Sequence, residues 1–211
     1  MAKGLLLASF NFKHANEDEF HAWYDTEHVP ERERVPGFLT WQRWIGADDP
    51  KISVATYDLE TVAVLASPAY RAIGGENLSP WSKRVTAQCE RILRFEGEQT
   101  LPGDQVSPAD AGALLFNAMN VAPEAEDDFN KWYDEEHIPA LAAVPGTLCA
   151  RRFRATQSPL KYVALYHLTA PEVVTCEAWQ KAVDTPWTQR MRPHMRDRVR
   201  IVCKAYQRKD A

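Results

Sequence analysis

The chain of 211 residues carries 25 Lys and Arg against 29 Asp and Glu, with a formal charge of -4 and a pI near 5.9; that balance speaks against a general attraction to nucleic acid or to an anionic membrane. Its length is enough to bury a proper core. Cys89, Cys149, Cys176 and Cys203 form no C-x-x-C pair, so they are expected as reduced thiols in a cytoplasmic protein, and no apolar run approaches the roughly 18–20 residues of a membrane span.

The opening "MAKGLLLASF" has an apolar run too short for a signal peptide and lacks a cleavage-like region, so Leu5–Phe12 is read as a first strand. "HANEDEF" then starts a helix, with Asn16 as N-cap and Glu19 three residues later in capping-box spacing. Phe20, Trp23, Tyr24 and Glu27 recur at three and four residues and predict one buried stripe, while Pro30 limits the helix. Pro36-Gly37 is turn chemistry. Phe38–Ile45 and Ile52–Leu59 read as strands joined by a hairpin around "GADDPK". A poorer helical region follows through Tyr70, and Ile92, Leu93 and Phe95 close the unit as a last strand. The Gly-, Pro- and acid-rich "EGEQTLPGDQVSPADAG" from Glu96 reads as a surface connector.

The second half repeats the first. At an offset of 109 positions (Leu5 against Leu114), "EDEFHAWYDTEH" meets "EDDFNKWYDEEH", Pro36-Gly37 meets Pro145-Gly146, Arg43 meets Arg152, and "VATYDL" meets "VALYHL" without a gap. Farther on, "SPW" at Ser79 meets "TPW" at Thr185. The expected domains are therefore a repeat at 1–98, a linker at 99–112 and a repeat at 113–211. Within each, the order β-α-β-β-α-β is that of the ferredoxin-like motif, whose open sheet face must be covered. The expected fold class is α+β: two ferredoxin-like βαββαβ repeats packed sheet to sheet as an intramolecular, pseudo-dimeric α+β barrel.

The phrase "WYDEEHIP...VPG", followed by an Arg-containing strand, resembles the EthD-like branch of the dimeric α+β barrel superfamily, and the resemblance covers both halves. Family members usually supply one unit per chain and form homodimers, so this chain looks like a tandem-fused version. The resemblance implies activities such as cofactor-independent monooxygenase, lactone isomerase or polyketide cyclase; more distant relatives bind haem.

Most of the motif has an ordinary structural reading. Trp23 and Trp132 fit as anchors of helix to sheet, and Pro30 and Gly37 as shape determinants. His28 and His137 stand near helix C-termini, where the macrodipole favours a charged imidazole. Tyr24 and Asp25, or Tyr133 and Asp134, lie four and three residues earlier, so the carboxylate is a candidate to orient the ring for proton transfer. The alternative is a histidine that caps the helix end. Arg43 and Arg152 are candidates to hold a carboxylate, enolate or phenolate oxygen, or else to pair with Glu27 and Glu136. Tyr166, like Tyr57, falls on the next strand as substrate contact or core. The copies differ where "ERER" (Glu31–Arg34) becomes "ALAA" (Ala140–Ala143) and Trp41 becomes Ala150, which favours space beside the C-terminal copy unless "ALAA" marks an interface. "RMRPHMRDRVR" from Arg190 reads as an anion-binding run or, more ordinarily, as a solvated helix end.

No metal set, phosphate loop or nucleophile elbow emerges. The expectation is a small-molecule enzyme with no metal or organic cofactor. It would act on an apolar aromatic or cyclic substrate, with His28 or His137 as general acid/base and an arginine stabilising negative charge. The alternatives are a non-catalytic binding or stress-associated barrel, or a haem protein with a motif histidine as axial ligand. The partner is expected to be a small molecule, neither nucleic acid nor membrane, with further homo-oligomerisation of the fused unit open.

Overall fold

A computed structural model describes residues 1–207. Its strands are β1 (Gly4–Asn11), β2 (Phe38–Gly46), β3 (Ile52–Leu59), β4 (Glu90–Leu101), β5 (Ala113–Val121), β6 (Thr147–Gln157), β7 (Tyr162–Leu168) and β8 (Met195–Ala205). In the first half the helices are α1 (Glu17–Trp23), α2 (Val29–Glu33), α3 (Pro68–Arg71) and α4 (Pro80–Ala87). In the second they are α5 (Glu126–Trp132), α6 (Ile138–Ala142), α7 (Glu177–Val183) and α8 (Pro186–Met191). No described helix is long and apolar enough to cross a membrane.

The strands do not form two sheets packed face to face. They form one closed antiparallel barrel in the order β1-β3-β2-β8-β5-β7-β6-β4, which corrects the expectation of two ferredoxin-like repeats covering each other sheet to sheet. The physical reason lies in the edges. Four strands from one half leave two rows of unpaired N–H and C=O groups, and stacking sheets would leave them unpaired, whereas joining edge to edge removes them. One seam pairs Trp44, Ile45 and Gly46 of β2 with Ala205, Lys204 and Cys203 of β8. The other runs between β4 and β6 from Glu96↔Gln157 to Leu101↔Arg152. Residues 96–101, expected in a surface connector, are therefore strand in this second seam.

Alternation along the strands divides the side chains between lumen and outer face. Leu5, Leu7, Trp44, Val54, Phe95, Phe116 and Leu165 fill the lumen. Leu6, Tyr57, Leu115 and Tyr166 point outward and are covered by the helices of their own half. The lumen also holds charge. Asp58 of β3 accepts from Arg151 Nη1 of β6 at 2.7 Å, and both are fully buried. The connector closes this end, with Ser107 N donating to Asp58 Oδ2 at 2.6 Å and the Gln105 carbonyl accepting from Arg151 at 3.1 Å. Burial pushes the Asp58 carboxyl up, but the Arg151 guanidinium and the Ser107 donors outweigh it and hold the pKa below the usual value.

Removing one partner strands a buried charge. Asp58→Ala is expected to cost about 3–5 kcal/mol, while the double replacement Asp58→Leu/Arg151→Met recovers most of that loss. Urea midpoints at an unchanged m value report both. The contribution of Asp58 is present above the unfolded aspartate pKa of about 3.9 and is lost as pH falls through the lower folded value.

Candidate functional site

Asn16 caps α1 by accepting from Glu19 N at 2.9 Å. At its far end the helix widens into a π-helical turn over Tyr24–His28, where Val29 N bonds back to the Tyr24 carbonyl; Tyr133–His137 repeats this, with Ile138 N bonded to Tyr133. Most of the motif clamps the second helical segment. Trp23 Nε1 donates to Ser82 Oγ at 2.9 Å, and Glu27 accepts from Ser79 at 2.6 Å and Ser82 at 3.2 Å. In the other half Trp132 donates to Thr188 Oγ1 at 3.2 Å, and Thr185 donates to Glu136 at 2.6 Å. Ser79 and Thr185 are also the N-caps of α4 and α8, with proline at the first turn of each.

The two aspartates do not orient the histidines. Asp25 accepts from Arg43 Nη1 at 2.6 Å and from the Tyr206 hydroxyl at 2.9 Å, and Asp134 accepts from Arg152 Nη1 at 3.0 Å. In the wider turn a residue three positions away is carried round the axis, while one four positions away stays alongside. Tyr24 and Tyr133 accordingly lie edge-on to His28 and His137 at 5.0 and 5.1 Å between ring centroids. Arg43 and Arg152 are spent on these aspartates rather than on Glu27 and Glu136, and their guanidiniums lie over the Tyr24 and Tyr133 rings at 4.3 and 4.4 Å.

The halves part at the histidine. His137 and Tyr166 line a cavity of about 180 Å³ between the C-terminal helices and the barrel wall, with Leu141, Trp179, Asn117 and Arg198 among its other walls. Among the described residues His137 Nδ1 and the Tyr166 hydroxyl are buried with no hydrogen-bond partner, as are His28 Nδ1 and the Tyr57 hydroxyl in the other half. Burial pushes the His137 pKa down to about 3, with Arg198 and Arg152 adding to the effect, and burial raises Tyr166 well above the usual tyrosine value. A neutral imidazole and a protonated phenol thus face one small space, and together they can accept one proton and donate another.

The N-terminal half carries Arg32 where this half has Leu141. Arg32 is 4% exposed, and its Nη1 donates to the His28 carbonyl at 2.8 Å. Burial, then Arg32 and Arg43, lowers the His28 pKa well below the usual range. The "ERER" to "ALAA" change is therefore the informative one. Trp41 is half-exposed on the outer surface and bonds Glu33, so its replacement by Ala150 does not open the cavity. "ALAA" puts a buried leucine into the wall. Asn117, Trp179 and Arg198 were not singled out by the motif, although Arg198 belongs to the arginine run, which covers the end of α8 and the start of β8 and gives Arg192, Arg198 and Arg200 to the cavity wall. Among the described residues no group of three or more His, Cys, Asp or Glu is arranged to hold a metal ion.

No known family pattern and no curated protein matches the chain. Solved structures do share the fold. A monooxygenase-like protein from Fusobacterium nucleatum subsp. nucleatum superposes with a TM-score of 0.65 at 11% identity, covering 98% of this chain and 93% of that one. An anthrone oxidase-like protein gives 0.66 at 13%, covering 98% and 92%. A chlorite dismutase from Candidatus Nitrospira defluvii gives 0.62 at 9%, covering 97% and 91%. At such identities the likeness is one of fold alone.

Two outcomes follow. A histidine whose folded pKa lies below the unfolded value of about 6.5 contributes stability that is complete above that value and is lost as pH falls toward the folded one, at about 1.4 kcal/mol per pH unit. Stability measured from pH 7 to pH 4 is expected to fall, and His137→Gln flattens the slope by about one proton's worth. Leu141→Arg, which places in the wall the residue type that the other copy carries at the matching position, is expected to fill the C-terminal cavity, abolishing binding of any ligand held there while preserving the melting transition; calorimetric titration with and without the substitution reads this.

Proposed function

We propose that the C-terminal cavity is the working site of a small-molecule enzyme in which His137 takes and returns a proton while Tyr166 donates a hydrogen bond to the substrate oxygen that gains negative charge. The observation that carries this reading is the cavity that joins an unpartnered buried imidazole and an unpartnered buried phenol. His28, flanked by Arg32, is assigned to structure. Asp134 and Arg152 support the helix end and Tyr133 rather than touching the substrate.

The chemistry is proton transfer at a carbon or oxygen next to a carbonyl or ring, in an isomerase, a cyclase or an oxygenase. The monooxygenase-like and anthrone oxidase-like neighbours favour the last. In that case a substrate methylene gives up its hydrogens, one atom of dioxygen becomes the new carbonyl oxygen, and the other leaves as water, with the substrate as the only reductant. The repeated "WYD-x-EH-x-P" phrase supports placing the chain near the EthD-like branch. Haem fits the cavity poorly. About 180 Å³ has room for little more than one six-membered ring, far less than a macrocycle needs, and the His137 ring is covered by Trp132 at 4.2 Å.

The depressed basicity of His137 favours a second reading, a barrel that binds its ligand without chemistry. Hydrogen–deuterium exchange into a panel of cyclic ketones and phenols, followed by NMR, separates the two. Exchange by the wild-type protein that drops about 10²–10⁴-fold in His137→Gln and persists in His28→Gln supports the enzyme. Ligands that bind without catalysed exchange support the binding barrel.

A further inference from the structure

We infer that the C-terminal cavity takes a single-ring organic anion, a carboxylate or phenolate, and that Arg198 anchors its charge. The inference rests on the reading of that cavity as the working site and narrows it to a substrate class.

Size sets the first limit. The cavity of about 180 Å³ is close to the ~150 Å³ void that accommodates one benzene ring, so one ring with a small substituent fits and a three-ring system does not. Leu141, Trp179 and Val183 supply apolar wall for the ring. Charge sets the second. Arg192, Arg198 and Arg200 line the space, and the wall contains no carboxylate.

The three arginines are committed to different degrees. Arg192 stands 3.7 Å from Asp184 and donates to the Val183 carbonyl. Arg200 lies in the field of Asp48. Arg198 is held by a neutral group, its Nε donating to Asn117 Oδ1 at 2.9 Å, and it forms no ion pair with a described residue. Asn117 is itself buried, so it holds Arg198 against the wall through Nε, while Arg198 stays solvent-exposed with its charge unpaired by any described residue. A carboxylate or phenolate supplies the missing countercharge through charge-assisted hydrogen bonds.

The N-terminal half lacks this arrangement. Strand register sets Arg200 opposite Asn117 and Arg94 opposite Ala8. Ala8 therefore takes the place of Asn117 and Ile92 that of Arg198. Arg94 there is paired with Glu96 and donates to the Tyr70 hydroxyl. The anion-anchoring pair belongs to the half that has the cavity.

Benzoate, neutral benzamide and anthracene-9-carboxylate test the inference by calorimetric titration of the intact protein. Benzoate is expected to bind at one site, benzamide about tenfold or more weakly, and the three-ring acid not to compete. Arg198→Gln is expected to weaken benzoate about tenfold and leave benzamide unchanged, whereas Arg198→Lys keeps most of the affinity; melting curves confirm that both variants fold. Equal binding of benzamide and benzoate, unchanged benzoate affinity in Arg198→Gln, or no saturable benzoate binding overturns the inference. If Leu141→Arg removes benzamide binding in any of those cases, the cavity still stands as a ligand site. Benzoate binding that survives Leu141→Arg instead overturns the reading of the cavity as the working site.

Discussion

Hydrogen bonding between strand edges from opposite halves of the chain, at β2–β8 and β4–β6, creates the lumen and fixes which face of every strand points outward. A one-residue slip in either seam would exchange the lumen residues with those beneath the helices. The Asp58–Arg151 pair bears on the same register, because β3 and β6 meet only across the lumen and their charges must coincide at one depth. Buried ion pairs are weak contributors to net stability but tolerate mismatch badly. This one sits where a shifted register would leave both charges unsatisfied.

With the barrel fixed, the repeated helix phrase divides its residues between scaffold and chemistry. Tryptophan and glutamate bind the hydroxyls of the next helical segment, aspartate holds the strand arginine, and tyrosine lies beneath that arginine. The histidine of each copy is left without a hydrogen-bond partner at Nδ1 among the described residues, as is the Tyr24 hydroxyl. Its surroundings differ between the copies, with buried Arg32 bonded to the His28 carbonyl in one and Leu141 in the cavity wall beside His137 in the other. A shared motif is thus compatible with different surroundings for its histidine in the two copies.

Much of this was legible in the residues. Periodicity and the self-match gave the order of strands and helices, because each copy repeats the same apolar spacing. Barrel closure was not, because pairing between edges is made by backbone atoms that no side-chain pattern reports. Asp25 and Asp134 were misplaced for a related reason. Spacing of three predicts proximity on an α-helix, and the π-helical turn that separates them from the histidines is a backbone choice. The Arg32 to Leu141 difference stood in plain view as "ERER" against "ALAA", but its meaning depended on which of four residues faced inward. The connector looked like surface, yet its backbone groups answer the lumen charges of Asp58 and Arg151.

Fusion of the copies into one polypeptide has an arithmetic consequence. A homodimer of identical units must present its sites in equal pairs, whereas two copies in one polypeptide can differ, as Arg32 and Leu141 do at matching positions. One half can then carry a cavity walled by Leu141, Asn117 and Arg198 while Arg32, Ala8 and Ile92 stand at the matching positions of the other.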